Sequence, residues 1–406
     1  MSTTLKPSAV SSGPNSSALC AREYSPRFPS GHTLHPSFLR LYHLCDELGS
    51  GGYGFVMTAI NRQEGFEVAV KFVIKNKVPE QAWAEDEIYG RLPVEVMLLT
   101  LMDHENIVKC FDVFEDDLYF YLVQELHGSP WQKSERPRGQ DGDSSPSMMP
   151  MLSSPPPLLS PSASEVSATD SEPDTPPQYS NQLYPSPLQV HVQIAESQLH
   201  NHVPHTLSEP ENDCSITLNL PPRPHYSRRA SHDLFECIEQ TQHKRLSENQ
   251  ARYILTQVVE AVYYLDCRGI SHRDIKDENL VVDKDLKVKL IDFGSATIAD
   301  VSEPRPYHKL FYGTTAYASS EVLQKKPYQA PPAEIWTLGV LMSYLLTGMS
   351  PFPTERDAIE GRIVLAEEPG SQLSHDCLHL MSRCLEPDPE KRADIKEVRG
   401  HRWLRC

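Results

Sequence analysis

The chain has 406 residues and a formal net charge of −17 with histidine neutral, too long for one minimal domain. The acidic balance argues against general nucleic-acid or anionic-membrane binding and suits a partner carrying basic residues. Nine cysteines lie scattered without a CxxC pair, which argues against a zinc site or disulfide framework and for free thiols in a reducing compartment. No apolar run approaches the roughly 18 residues that span a bilayer. The opening MSTTLKPSAVSSGPNSS has no signal-peptide core, so a cytoplasmic or nuclear protein is expected.

Residues 1–38 are rich in Ser, Pro and Gly and are expected to form a disordered tail. Residues 39–127 open with short apolar alternations broken by Gly and Asn (LYHLCDELGSGGYGFVMTAINRQEGFEVAVKFVI), which predict successive antiparallel strands. A helix follows, with Val94, Met97, Leu98, Leu101 and Met102 at helical spacing. Residues 128–231 hold clusters of Pro and Ser, such as PPP at 155–157. Proline donates no ladder hydrogen bond, and too few large apolar groups are present to offset ordering entropy, so a disordered insert is expected. Residues 232–406 have a mainly helical pattern. The clearest helix carries a capping box at Ser247 and Gln250, an apolar face of Ile254, Leu255, Val258, Val259, Val262 and Leu265, and Gly269 placed to end it. The plan is α+β: a strand-rich lobe, a long loop and a helix-rich lobe.

The stretch LGSGGYGFV sets Leu48, Gly49, Ser50, Gly51, Gly52, Tyr53, Gly54 and Val56 in the pattern G-x-G-x-x-G-x-V. Absent side chains would let backbone N–H groups approach a polyphosphate, although a plain hairpin turn also uses such glycines. The loop precedes VAVK and not a helix, which removes the dinucleotide-binding reading. In VAVK, Ala69 and Lys71 share one face of the strand, where a lysine is costly without charged partners. Glu95 on the following helix would pair with Lys71, though glutamate is common on helix surfaces. In SHRDIKDENLVV, Asp274, Lys276 and Asn279 can meet one reaction centre from a single loop. Asp274 would accept or orient an attacking hydroxyl, Lys276 would neutralise a transferring phosphoryl group, and Asn279 would bind a metal ion. In LKVKLIDFG, Val288, Leu290 and Asp292 alternate onto one face, so that Asp292 meets Mg²⁺ while Phe293 packs inward. Phosphoryl transfer needs positioning and charge neutralisation more than covalent chemistry, and this set supplies both.

These motifs resemble the signature set of the eukaryotic protein kinases over residues 40–404, the insert excepted. The resemblance implies a bilobal fold with ATP and Mg²⁺ between the lobes, Gln124 as gatekeeper, adenine on the backbone of Glu125 to His127, and Ala69 and Val281 against the base. Lys276, Gly313 and Thr314 resemble the Ser/Thr branch. KNKVPEQAWAEDEIYGRLPVEVMLL, QELHGS, DLFECIE and HRDIKDEN look like the PAS-kinase catalytic domain, with the PIM and calmodulin-dependent kinases as more distant neighbours. Fewer than 40 residues precede the kinase core, so no PAS domain is expected before it.

Three departures stand out. The usual A-P-E is Ser319-Ser320-Glu321, where Glu321 would still pair with Arg392. Glu334 stands where the family has the aspartate that braces the catalytic loop. The insert loops out between HGS and DLF, and a long loop costs only roughly 0.6 kcal/mol per doubling if its ends stay close. It carries Ser/Thr-Pro pairs at 145, 154, 160, 175 and 186, expected as sites for upstream proline-directed kinases, and Ser231 in RRAS, which resembles a site for an upstream basophilic kinase or for this enzyme itself. Asp233, Asp277, Glu278 and Glu360 lie where basophilic relatives bind arginine, implying protein substrates with Arg at −3 or −5. Leu310 occupies the place of the phosphorylated Thr of many kinases, which fits activity without that phosphate; Thr297, Ser302 and Tyr307 remain as sites. The rival class is a pseudokinase scaffold that binds partners through residues 128–231.

Overall fold

The computed structural model describes residues 21–86, 89–128, 233–241, 243–365 and 372–405. The first lobe is built on five antiparallel strands: β1 (Tyr42–Gly51), β2 (Gly54–Asn61), β3 (Glu67–Ile74), and, after the short hairpin β4 (Trp83–Asp86) and β5 (Gly90–Pro93), β6 (Cys110–Glu115) and β7 (Tyr119–Glu125). Their order is β1-β2-β3-β7-β6. One face of β3, Val68 and Val70, packs into an aromatic cluster, while Ala69 and Lys71 point to the opposite side, as the period of two requires. Helix α2 (Val94–Leu101) follows the hairpin. Its buried face is Glu95, Val96, Leu98 and Leu99, and Leu101 is exposed, so the predicted apolar face is rotated. The shift brings Glu95 inward.

The expected disordered tail does not hold for residues 21–38. A 3-10 turn at Ala21–Glu23 leads to α1 (Pro36–Leu41), and Ala21, Phe28, Leu34 and Phe38 are buried. Phe28 meets Phe55 at 5.1 Å, Phe72 at 5.0 Å and Tyr119 at 5.7 Å between ring centroids. The sheet's outer face is aromatic and needs a cover, which this strap provides.

The second lobe packs around α4 (Glu248–Asp266), with α3 (Leu234–Glu239) before it. The capping box forms as predicted, and all six residues of the predicted α4 face are buried. The helix stops at Asp266, ahead of Gly269, which takes φ +75° where a Cβ would strike the Ala299 carbonyl oxygen at 1.9 Å. Short pairs follow: β8 (Ile270–Ser271) with β11 (Thr297–Ile298), β9 (Leu280–Val282) with β10 (Val288–Leu290), and β12 (Tyr307–His308) with β13 (Tyr328–Gln329). Helix α5 (Ser320–Leu323) precedes β13, and α6 (Ala330–Thr347), buried along most of its length, packs against α4 and α8 (His375–Cys384), while α7 (Glu355–Glu360) lies on α5, and α9 (Ile395–Gly400) and α10 (Arg402–Arg405) lie on α4. The six described cysteines are free thiols. No helix among the described residues is long and apolar enough to cross a membrane.

The expected disordered insert, with Ser231 and the Ser/Thr-Pro sites, lies outside the described residues. Its flanks do not. The His127 ring meets the Lys287 carbonyl at 2.9 Å, and Asp233 bridges to Val281. Both flanks are thus fixed on the β9–β10 hairpin, which keeps loop closure cheap.

Candidate active site

The glycines of the β1–β2 hairpin divide the work. A Cβ at Gly54 would come within 2.0 Å of the Phe72 carbonyl oxygen, so this position is closed by packing. At Gly49, Gly51 and Gly52 a Cβ would meet nothing within 4 Å, which leaves an open backbone cradle for a polyphosphate. The Tyr53 ring reaches across toward Gly294. Behind the loop, Ala69, Gln124 and Val281 are buried and Leu48 and Val56 are half-buried. Glu125 commits its amide to the Lys109 carbonyl (2.8 Å) and its carboxylate to Lys289 (2.9 Å). Among the described residues Gln124 Nε2, which is buried, has no hydrogen-bond partner. That donor and the open glycine cradle fit a nucleotide with polar ring atoms and phosphates.

Lys71 Nζ lies 2.5 Å from Glu95 and 2.8 Å from Asp292. Burial alone would lower the Lys71 pKa, but the Asp292 and Glu95 carboxylates outweigh it and raise it. Lys71 in turn holds Asp292 down to about 2, so both stay charged at neutral pH. Asp292 is not the next residue of a strand, as alternation predicted. β10 ends at Leu290, and Asp292 takes a left-handed backbone at φ 62°. This turn frees the carboxylate while Phe293 packs inward, as expected, 4.7 Å from the His272 ring.

In the catalytic loop, Asp274 Oδ1 accepts from the Thr314 amide and hydroxyl, both at 2.9 Å. Asn279 Nδ2 donates to the Asp274 carbonyl (2.8 Å) and to Oδ2 (3.0 Å). With its amide nitrogen so used, the Asn279 side chain has its oxygen left as an acceptor. That oxygen and Asp292 are hard donors that suit Mg²⁺, which takes few protein ligands and completes its shell with phosphate and water. Among the described residues no group of three or more His, Cys, Asp or Glu could hold a metal by itself. Lys276 Nζ reaches Thr314 Oγ1 at 3.0 Å and Asp274 at 3.7 Å. Thr314 is thus a site residue that the motif reading passed over as part of a GT pair.

The departures keep their contacts. Glu321 and Arg392 form a buried bidentate pair at 2.9 and 2.7 Å. Ser320, in place of proline, donates to the Pro387 carbonyl at 2.5 Å. Glu334 Oε1 accepts from the His272 and Arg273 amides at 2.7 and 3.2 Å, so the longer side chain still braces the loop. Burial pushes the Glu334 carboxyl up to about 7 from an ordinary 4.5. The folded state therefore holds this proton where the unfolded chain has lost it, and stability falls as pH rises through that window, by on the order of 3 kcal/mol. Glu334→Gln should flatten that fall, which urea unfolding across the window would show. An unchanged slope would remove Glu334 as its source.

Of the four acidic residues expected to bind substrate arginine, Asp277 is corrected: it is buried, with its carboxylate on the Tyr317 hydroxyl at 2.9 Å. Asp233 caps α3 through the Glu236 amide (2.8 Å), and burial raises its pKa to about 6. Glu360 is held by Arg356 at 2.7 Å and by Arg362. Glu278 is exposed and meets Lys276 at 2.8 Å.

An ion-paired Lys–Glu–Asp chain beside a catalytic-loop carboxylate that is held by a Thr and an Asn is the arrangement that phosphoryl transfer requires. The chain matches the family described as Protein kinase domain over residues 42–134 and 200–404, and it belongs to the protein kinase family. It is 30% identical to the PAS domain-containing serine/threonine-protein kinase of Mus musculus over 366 residues, 89% of this chain and 18% of that protein. It is 26% identical to serine/threonine-protein kinase PSK2 of Saccharomyces cerevisiae, over 88% of this chain and 23% of that protein. A probable serine/threonine-protein kinase, MARK-A of Dictyostelium discoideum, is 39% identical over 40% of this chain and 15% of its own length. The chain spans about a fifth of the length of the first two relatives.

Proposed function

We propose that this chain transfers the γ-phosphoryl group of ATP, with Mg²⁺, to Ser or Thr of protein substrates, preferring those with upstream arginine. The observation that carries this reading is Asp274 held between Thr314 and Asn279, with Lys276 beside it. Mg²⁺ supplies neutralisation of the phosphate charge when bound. Lys71, fixed by Glu95, would hold the phosphates that the glycine cradle receives. Asp274 takes the proton of the substrate hydroxyl as its oxygen bonds to phosphorus and the bond to the ADP oxygen breaks. Lys276 offsets the charge on the transferring group. No observation favours the scaffold reading, since Lys71, Asp274, Asn279 and Asp292 are all in place. The test is transfer of labelled γ-phosphate to an Arg-containing Ser peptide, beside Asp292→Asn. Transfer by the wild type and none by the variant is expected; a well-folded wild type without transfer would reject the reading.

The arginine preference rests on Glu278, exposed beside the catalytic lysine, with Asp233 partly buried at the α3 cap. Glu278→Ala should raise the KM of an arginine peptide about tenfold and leave a peptide without arginine unchanged, the loss of one charge-assisted contact. Equal effects on both peptides would remove Glu278 from recognition. We also read the enzyme as active without a phosphate on the activation segment, because Leu310 is exposed and carries no acceptor for one.

A further inference from the structure

Arg273 adjoins the catalytic Asp274 and takes a left-handed backbone at φ 65°. Its Nε donates to the Ser295 carbonyl at 2.6 Å, and its guanidinium lies over the Tyr312 ring, 5.2 Å from the centroid. Among the described residues this guanidinium has no salt bridge, and besides the Tyr312 ring it meets the Tyr328 hydroxyl. An aromatic face is the next best partner for a guanidinium. Tyr312 does more than cover it. Its hydroxyl accepts from Gln81 Nε2 at 2.8 Å, and its carbonyl accepts from Ser295 Oγ at 3.4 Å. Gln81 lies in the 3-10 turn Glu80–Ala82, which leads into the β4–β5 hairpin ahead of α2. The Tyr312 side chain therefore touches the approach to the Glu95 helix and the catalytic loop, and its main chain meets the residue after Phe293-Gly294. Two residues on, Thr314 holds Asp274 by two hydrogen bonds.

We propose that Tyr312 is a positioning residue that does the work of an activation-segment phosphate: its ring occupies Arg273 and its hydroxyl ties the segment to the first lobe through Gln81. The segment around it is held by neutral contacts as well. The Tyr328 hydroxyl donates to the Leu310 carbonyl at 3.1 Å, and β12 pairs with β13. The proposal rests on the reading that this chain is a kinase active without such a phosphate.

The experiment uses the full chain after phosphatase treatment, with residues 292–321 shown by mass to be unphosphorylated. It records kcat, the KM of ATP, the KM of an arginine-containing Ser peptide, and the thermal midpoint. Tyr312→Phe and Gln81→Ala each remove the inter-lobe hydrogen bond and should each lower kcat about fivefold, with the double variant no worse than either. Tyr312→Ala also uncovers Arg273 and should lower kcat at least about tenfold while the KM of ATP stays within about twofold. Adding Leu310→Glu to Tyr312→Ala offers Arg273 a carboxylate and should recover kcat, which a mere packing role would not permit. Tyr312→Phe and Gln81→Ala both at wild-type kcat would overturn the proposal, even if Tyr312→Ala does not fold. If the phosphatase-treated wild type is itself inactive, the phosphate-independent reading falls and takes the proposal with it. A treated wild type that is active beside unaffected variants sinks the proposal alone.

Discussion

Phe28→Ala is expected to destabilise the protein by about 3–5 kcal/mol, the range for emptying a buried aromatic site. Phe28 is fully buried, and its ring makes edge contacts with Phe55, Phe72 and Tyr119 and stacks on His32 at 5.7 Å. The void would open where the strap crosses β2 and β3, and neither strand can shift without breaking the sheet. A functional effect should accompany the loss. Arg27, next to Phe28, bonds Glu47 at 2.6 Å and the Ser50 hydroxyl at 3.1 Å, and Ser25 Oγ donates to Glu47 at 3.1 Å. These contacts hold β1 and the glycine loop, so the KM of ATP should rise in Phe28→Ala. Urea unfolding followed by near-ultraviolet signal gives the stability change. A loss under about 1 kcal/mol would mean that the strap is not part of the lobe's core.

The strap is also where the sequence was least legible. Phe28, Leu34 and Phe38 are isolated apolar residues in a Ser- and Pro-rich stretch, with neither helical nor strand period. Their burial depends on an aromatic sheet face that includes Tyr119, far along the chain from Phe28, which no local pattern reports. Asp277 failed for a related reason. In HRDIKDEN every charged residue is written alike, and only the position of the Tyr317 hydroxyl decides which one turns inward. The left-handed turn at Asp292 was hidden because alternation assumes that the strand continues. By contrast, α4 was readable down to its cap, since its period, capping box and length all agree. The catalytic loop was readable because Asp, Lys and Asn in one short loop, after a glycine hairpin and before a buried strand ending in Asp-Phe-Gly, have few structural uses. Tyr312 needed coordinates: its partner Gln81 is far away in the chain, and a tyrosine before Gly-Thr carries no signal of its own.

Asp274→Asn should lower kcat by about 10²–10⁴, the contribution of a positioned proton acceptor. The substitution preserves shape and changes only charge and one acceptor. In the wild type, Oδ1 accepts two bonds from Thr314 and Oδ2 accepts one from Asn279, so both oxygens face donors. Asparagine must turn its own amide nitrogen toward one of those donors, and a donor facing a donor loses that bond. If nitrogen faces Asn279, the Asn279 amide swings and Mg²⁺ affinity weakens as well. If it faces Thr314, the segment that carries Tyr312 and Thr314 loosens. The KM of ATP should change little in the second case and rise with falling Mg²⁺ in the first, so titrating Mg²⁺ at fixed ATP separates them. Thr314→Ala provides the comparison. It leaves Asp274 charged and removes one of its three donors, so its loss in kcat should be about tenfold at most, the worth of one hydrogen bond to a charged group. Should Asp274→Asn fall by no more than Thr314→Ala, Asp274 only positions the substrate hydroxyl, and its proton leaves by another route.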